Sequence, residues 1–270
     1  GEFSSYIYII LLTVRHSQQD VIEGLSAGAD DFIKKPFNPA ELRVRLRTGE
    51  RILSLETRDL ALFAVAKLAE SRDPEMGEHL DRVRHYAKLL GEHLASQPKF
   101  HGVIDSEYLR LLYLTTPLHD IGNVAIKEAI LLKEGKLTAQ EYDVVKTHTV
   151  RGAEALQAAI EQRPEAAFLR MARDIALSHH ERYDGGGYPH GLAGDQIPLC
   201  GRIVAVADAY DAMTSKRVYR EAFDHDKARL LIVKESGRQF DPDVVDAFVA
   251  TESELLATRN RLADNALVPV

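Results

Sequence analysis

The N-terminal seventy residues combine short apolar runs with helical spacing. Residues 6–14 are apolar and rich in β-branched and aromatic side chains, which is typical of a buried strand. Residues 18–27 have helical spacing, and residues 32–33 predict a second short strand. Asn38 is placed as the N-cap of a helix that continues, by its leucine spacing, to about Ala69. This segment is therefore predicted to be a small α/β element followed by one long helix.

Beyond this point the apolar spacing is helical almost throughout. Asp73 followed by Pro74 predicts a helix start, with an N-cap and then proline at the first position. Pro117 lies inside a predicted helix and should kink it. The glycine-rich residues 184–189 predict a loop. The remaining predicted helices cover residues 106–120, 139–159, 164–180, 203–215, 223–235 and 242–259. The fold class is therefore predicted to be mainly α, a helical bundle.

Composition narrows the class of protein. The chain has 270 residues, 45% of them apolar and 28% charged, as in folded globular proteins. The single cysteine, Cys200, excludes an intramolecular disulfide framework and favours a reducing compartment, so we expect a cytoplasmic protein. The longest apolar run is too short to span a membrane. A net charge of −7 disfavours DNA binding but leaves room for a local basic pocket.

The 11 histidines are the unusual feature, because several lie with acids at positions awkward for an apolar bundle. Glu75 and His79 are four residues apart and share one face of a predicted helix. His179 and His180 form a tandem pair that leads into the glycine-rich loop, and Asp208 lies within an apolar run. An unpaired carboxylate or imidazole in apolar surroundings is costly, and a bound metal ion removes that cost.

Each of these residues has an ordinary explanation when taken alone. Adjacent His119 and Asp120 could recur by chance, and a lone histidine such as His148 is usually a surface or hydrogen-bonded core residue. Asp208 could form a hydrogen bond between two helices. Their combination instead predicts a metal centre, since facing helices of a bundle commonly supply histidine and carboxylate ligands.

The motifs resemble those of the HD-GYP phosphodiesterases, a subgroup of the HD hydrolases. The matching strings are RDPEMGEHLDRV, LHDIGN, LLKEGKL, KTHTVRGAEAL, HHERYDGGGYPHGLAGDQIPL, ADAYDAMTSKRVYR and GRQFDPDVV, in the family's order. We place this domain at residues 58–259. The resemblance implies an α-helical bundle that holds two or three metal ions and hydrolyses cyclic di-GMP or a related cyclic dinucleotide in bacterial signalling.

The resemblance also implies roles for individual residues. His119 and Asp120 match the pair that names the family and are expected to be catalytic, with Asp120 bridging two ions. The implied metal ligands are Glu75, His79, His119, Asp120, His148, His179, His180 and Asp208. The implied substrate contacts are Asn123, Tyr188, Asp211, Arg217 and Arg220. Glu75 and His79 match ligands of family members that have a three-metal centre, and many other members lack the glutamate, so the resemblance favours three ions over two.

The chemistry of phosphodiester hydrolysis is consistent with this ligand set. The reaction needs a nucleophile at neutral pH and neutralisation of phosphate charge, and two nearby divalent ions supply both. Mixed imidazole and carboxylate ligands suit iron or manganese and disfavour magnesium alone. Arg217 and Arg220 are able to clamp phosphate or stack on guanine. We therefore expect Fe or Mn in the site.

A second resemblance concerns the N-terminus. Residues 11–47 are similar to the second half of a response-regulator receiver domain, in which Thr13 matches the switch threonine and Lys35-Pro36 the Lys-Pro pair. The phosphorylated aspartate of that family is missing. We interpret residues 1–48 as a truncated receiver segment, and residues 49–71 as a linking helix whose leucines pair two chains. The alternative for the first segment is an unrelated αβ cap.

The sequence departs from the HD-GYP pattern at Asn123, where the family usually has lysine. Loss of one transition-state donor typically lowers the rate on the order of a hundredfold or more. Two hypotheses therefore remain open. The first is a working phosphodiesterase that converts cyclic di-GMP to linear pGpG and on to GMP. The second is a catalytically weakened module that binds metal and nucleotide and signals by protein contacts.

Overall fold

Contacts between residues divide the protein into two units. The structure, a computed structural model, describes residues 8–14, 17–70, 78–215 and 221–265. The first unit comprises residues 1–61 and the second residues 62–269. None of the described helices is both long and apolar enough to cross a membrane.

The first unit has two parallel strands, β1 (Ile10–Thr13) and β2 (Asp31–Lys34), joined by helix α1 (Gln18–Ser26). Ile10 pairs with Asp31, and the register continues to the pair of Thr13 and Lys34. Helix α2 (Pro39–Glu70) follows, and its start was predicted from Asn38, whose side-chain Oδ1 accepts the Ala40 N–H at 2.8 Å. The predicted order of strand, helix, strand and long helix is confirmed.

The second unit is helical. Its remaining α-helices are α3 (His79–Ala95), α4 (Ser106–Thr115), α5 (Glu128–Leu131), α6 (Ala139–Lys146), α7 (His148–Gln162), α8 (Ala167–Ser178), α9 (Leu199–Thr214), α10 (His225–Lys234), α11 (Pro242–Ala250) and α12 (Glu252–Asn265). Short 3₁₀ segments lie at Pro98–Phe100, Thr116–Leu118, Ile121–Ala125 and Gly194–Gln196. The prediction of a mainly α fold is confirmed.

Two predicted helices are each divided in the structure. The helix predicted over residues 139–159 breaks at Thr147, and the helix predicted over 242–259 breaks at Thr251. The hydroxyl of Thr147 donates to the Val144 carbonyl, and that of Thr251 donates to the Ala247 carbonyl. Such side-chain bonds to the preceding turn compete with the hydrogen bonds of a continuous helix. Pro117 does not simply kink its helix. The α-helix ends before it, and Pro117 lies in the 3₁₀ segment.

The largest core cluster forms where α3 packs against α9 and α11. Tyr86, Tyr210 and Phe248 are fully buried there. The ring centroid of Tyr210 lies 5.2 Å from that of Tyr86 and 5.1 Å from that of Phe248. A smaller cluster includes Ala66 of α2, Leu80 of α3 and Leu118. Leu80 and Leu118 each adjoin a predicted metal ligand in the chain, so this second cluster anchors the residues that form the site.

Candidate metal centre

The predicted ligands that the structure describes lie at ends of helices in the second unit, except Asp208 in the middle of α9. His79 is the first residue of α3, and His148 is the first residue of α7. His179 and His180 directly follow α8, and His119 and Asp120 lie between two 3₁₀ segments. These helix ends converge, so residues far apart in the chain meet at one place. Glu75, Arg217 and Arg220 lie outside the described residues.

Two glycines allow these segments to approach closely. A Cβ atom on Gly122 would lie 1.9 Å from the backbone oxygen of His148, so the segment after His119 and Asp120 packs directly on the start of α7. A Cβ atom on Gly187 would lie 2.3 Å from the backbone nitrogen of Arg182. Both glycines of the sequence motifs are therefore required by close backbone contacts.

One part of the site consists of Asp120, His148, His179 and His180, here called the Asp120 group. Their ligand atoms all lie within 4.8 Å of one another. Asp120 Oδ1 is 3.1 Å from His148 Nε2 and 3.4 Å from His179 Nε2. These three buried atoms nevertheless have no hydrogen-bond partner among the described residues. Polar atoms that converge without bonding to one another fit a bound cation.

The histidine rings are oriented by hydrogen bonds from their other nitrogens. Nδ1 donates to a backbone carbonyl in three rings, at 2.7 Å for His148, 3.0 Å for His179 and 2.9 Å for His119. A carbonyl oxygen only accepts, so the proton of each neutral ring is on Nδ1. The lone pair of Nε2 is then free to bind a metal ion.

The pKa shifts in the Asp120 group mostly favour the protonation states that bind metal. Burial and then His179 lower the pKa of His180 well below its ordinary value. Burial also lowers the pKa of His179. Burial raises the pKa of Asp120. His119 and the other adjacent histidines have the larger, opposite effect, so the pKa of Asp120 lies well below its usual range. Burial lowers the pKa of His148, but Asp120 raises it above its ordinary value, and a cation between the two would oppose that rise.

A second set of ligand atoms belongs to Glu70, His79 and His119, here called the Glu70 group. Their ligand atoms also lie within 4.8 Å of one another. The Nε2 atoms of the two histidines are 3.4 Å apart, and Asp208 Oδ1 lies 3.6 Å from the first and 4.0 Å from the second. Burial raises the pKa of Glu70 to about 8.

The sequence analysis missed Glu70, although a signal was present. Phe63, Ala66 and Glu70 follow one another at intervals of three and four residues, so Glu70 falls on the apolar face of α2. Ala66 is 1% exposed, and Phe63 packs on the same cluster. An acid on the buried face of a helix needs a partner, which is the argument that identified Asp208.

Asp211 has contacts different from those expected of a substrate-binding residue. It is 1% exposed. Its Oδ2 accepts the His79 Nδ1 proton at 2.7 Å, and Arg82 donates to Oδ1 at 2.5 Å and to Oδ2 at 2.9 Å. Burial raises the pKa of Asp211, but these bonds from His79 and Arg82 bring it below its ordinary value. The carboxylate thus fixes the ring of His79 from the side opposite to the Glu70 group.

A cavity of about 370 Å³ opens next to the Asp120 group. His180, Tyr188 and Asp208 are among the residues that line it. The ring centroids of Tyr188 and His180 are 4.8 Å apart. Glu181 is buried and accepts the backbone N–H groups of residues 190 and 192, which holds the glycine-rich loop at the rim. Asn123 is half-buried, three residues after Asp120.

Comparison with known proteins identifies the class. The HD domain family profile matches residues 64–244. The chain is 46% identical over 231 residues to a cyclic di-GMP phosphodiesterase of Vibrio cholerae serotype O1, covering 83% of this chain and 47% of that protein. It is 39% identical over 272 residues to the cyclic di-GMP phosphodiesterase response regulator RpfG of Xanthomonas campestris pv. campestris, covering 92% and 68%.

A third relative is the 3′3′-cGAMP-specific phosphodiesterase 2 of Vibrio cholerae serotype O1, 37% identical over 209 residues, covering 77% of this chain and 38% of that protein. The chain thus spans about half the length of the first relative. It belongs to the HD domain family, and its resemblance to the HD-GYP phosphodiesterases is confirmed. The receiver resemblance of residues 1–48 stays a prediction.

Proposed function

We propose that this protein is a metal-dependent phosphodiesterase that hydrolyses cyclic di-GMP to linear pGpG and on to GMP. The observation that carries the proposal is the Asp120 group, in which buried ligand atoms converge beside an open cavity without hydrogen bonds to one another. The names of two relatives point to cyclic di-GMP, and that of the third points to the hybrid dinucleotide 3′3′-cGAMP. The names of these relatives do not favour the alternative of a binding module without turnover.

The ligand set supports two or three divalent ions, with iron or manganese preferred. Imidazole nitrogens together with carboxylate oxygens suit these metals better than magnesium. The Asp120 group would hold one ion, and His79 and His119, with Asp208 beside them, would hold another. Ions bound there would supply a water of lowered pKa and neutralise charge on the scissile phosphate.

The protein's own residues position the substrate and the ligands. Tyr188 offers an aromatic surface beside His180 for a base or ribose, and Asn123 offers a neutral hydrogen bond to phosphate. Arg217 and Arg220 remain our proposal for the charged phosphate contacts. We assign to Asp211 the role of orienting His79, because both of its oxygens are already bonded inside the protein.

A substrate panel tests this function. The chain is reconstituted anaerobically with Mn²⁺ or Fe²⁺ and offered cyclic di-GMP and 3′3′-cGAMP separately, with products separated by chromatography. We expect cyclic di-GMP to be converted to pGpG at the higher kcat/KM. Preference for 3′3′-cGAMP would change the substrate but not the class of enzyme, whereas binding of both without turnover would contradict the proposal.

The remaining proposals concern the setting of this activity. The single cysteine is buried, and such usage is typical of a reducing compartment, which supports the cytoplasm. Leu46, Leu53 and Leu60 follow one another at seven-residue intervals on α2 and are exposed, which supports a homodimer through this helix. A variant in which these three leucines are replaced by glutamine tests the dimer. Light scattering should give half the mass of the wild type, because the dimer contact is lost.

A further inference from the structure

The last residue of α2 places a carboxylate inside the second unit, with no hydrogen-bond partner in the part of the chain that the structure describes. Glu70 is 8% exposed, and neither of its oxygens has a hydrogen-bond partner among the described residues. It adjoins Ala69 and follows Ala66, both of which are buried. Burial of an unpaired carboxylate is among the most costly arrangements in a folded protein, so a cation or donor is expected at this position.

The groups that face Glu70 supply lone pairs rather than protons. His79 Nδ1 donates to Asp211 at 2.7 Å, and His119 Nδ1 donates to the Thr116 carbonyl at 2.9 Å. In the neutral rings both Nε2 atoms are therefore acceptors, and they lie 3.4 Å apart. Two acceptor nitrogens and an ionised carboxylate, with ligand atoms all within 4.8 Å, cannot satisfy one another by hydrogen bonding. A divalent ion satisfies all three.

We propose that Glu70 is a metal ligand, and that with Nε2 of His79 and of His119 it holds a divalent transition-metal ion beside the ion of the Asp120 group. The proposal rests on the metal-dependent function proposed above and adds to it a ligand from helix α2. The sequence analysis assigned the carboxylate ligand on this side to Glu75 instead. The same histidines that bind the ion are oriented by Asp211 and by the Thr116 carbonyl, as ligand histidines usually are.

Metal binding to matched variants tests the assignment. Glu70→Gln removes the charge and one oxygen at nearly constant volume, and Glu50→Gln makes the same change at an exposed position of the same helix. Both are loaded anaerobically with Mn²⁺, and bound metal is measured by elemental analysis together with binding affinity. We expect Glu70→Gln to lose about one ion per chain, or to bind it at least about tenfold more weakly, since even outer-shell changes cost 10–100-fold. Glu50→Gln should match the wild type.

Glu75→Gln completes the set. Loss of the ion in Glu70→Gln supports the assignment whatever the result for Glu75→Gln. If Glu75→Gln loses the ion as well, both acids are ligands. Retention of the wild-type count and affinity in Glu70→Gln overturns it. A wild-type chain that binds no transition metal at all would instead contradict the proposed function, so the two failures are distinguishable.

Thermal unfolding with and without metal separates ligation from a structural role. In chelator, Glu70→Gln should melt no lower than the wild type, because the amide is neutral, whereas the wild-type side chain must be buried either as a charged carboxylate or after taking up a proton on folding. Added Mn²⁺ should then raise the melting temperature of the wild type more than that of the variant, since an ion that binds the folded state stabilises it. If the variant melts lower in chelator and gains as much from Mn²⁺ as the wild type, Glu70 is structural and the proposal is wrong.

Discussion

At the scale of single residues, Asp120 has contacts with both sets of ligands. Its Oδ1 lies against His148 and His179, and its Oδ2 is 3.9 Å from His119 Nε2 in the Glu70 group. A carboxylate in this position can serve one ion with each oxygen. The role of Asp120 as a bridge, which we predicted by resemblance, therefore leads to a direct measurement.

Replacement of Asp120 should remove more metal than replacement of a ligand on one side. We expect Asp120→Ala to lose more than one ion per chain after anaerobic reconstitution, whereas His180→Ala should affect only the Asp120 group. Elemental analysis of the two variants beside the wild type measures the difference. Equal losses in both variants would show that Asp120 binds a single ion.

We expect a substitution at Asn123 to change the rate of hydrolysis. A lysine there would bring a positive charge three residues from Asp120, so Asn123→Lys should raise kcat/KM for cyclic di-GMP about tenfold or more, equivalent to ~1.4 kcal/mol of barrier. Metal content should stay the same. Val124→Lys adds the same charge at an exposed neighbour and should leave the rate unchanged. Equal effects of the two variants would indicate general attraction of the substrate by charge.

At the scale of elements, the helix ends rather than the helix faces form the site. The adjacent pairs His119-Asp120 and His179-His180, together with the family resemblance, predicted residues whose ligand atoms converge in the structure. It did not predict that His148 begins a helix, because the break at Thr147 depends on a hydroxyl bond to the preceding turn that helical spacing does not reveal. Glu70 was missed because it lies outside the histidine pattern, although the acid falls on the apolar face of α2.

The contact between the segment after Asp120 and the start of α7 should be sensitive to one added methyl group. Gly122→Ala would put a Cβ atom 1.9 Å from the His148 backbone oxygen, so these segments must separate. We expect a loss of about 1–3 kcal/mol in the free energy of unfolding, by overpacking. Metal affinity should fall as well, because His148 moves with the start of α7. Chemical denaturation and metal titration check both, with Val124→Ala as the exposed control; an unchanged variant would contradict the rigid contact.

At the scale of the whole molecule, the two units differ in what they contribute to the core and to the candidate metal centre. The smaller core cluster of the second unit includes Ala66 of α2, the larger one is built from Val83 and later residues, and every predicted ligand that the structure describes lies in that unit. The sequence predicted a helical bundle with a small α/β segment before it, because strand and helix patterns differ locally. The receiver interpretation of that segment rests on the similarity of residues 11–47, including Thr13 and the Lys35-Pro36 pair.

Removal of the N-terminal segment should therefore leave the metal centre intact. We expect deletion of residues 1–38 to change the melting temperature of the metal-loaded second unit by less than the roughly 2–4 °C that 1 kcal/mol produces in a chain of this size. Cyclic di-GMP binding should also be retained. Calorimetry and a binding titration of the shortened chain measure both. A large loss of either would show that residues 1–38 contribute to the stability of the site.

The dependence of turnover on bound metal tests the central claim most directly. The chain is stripped with chelator, reloaded anaerobically with increasing Mn²⁺ or Fe²⁺, and assayed for conversion of cyclic di-GMP to pGpG while bound metal is counted. We expect turnover to be absent without metal, to rise as the Asp120 group fills and to be lost in Asp120→Ala at any metal concentration. A fully loaded chain that binds cyclic di-GMP without hydrolysing it would contradict the account and favour a binding module.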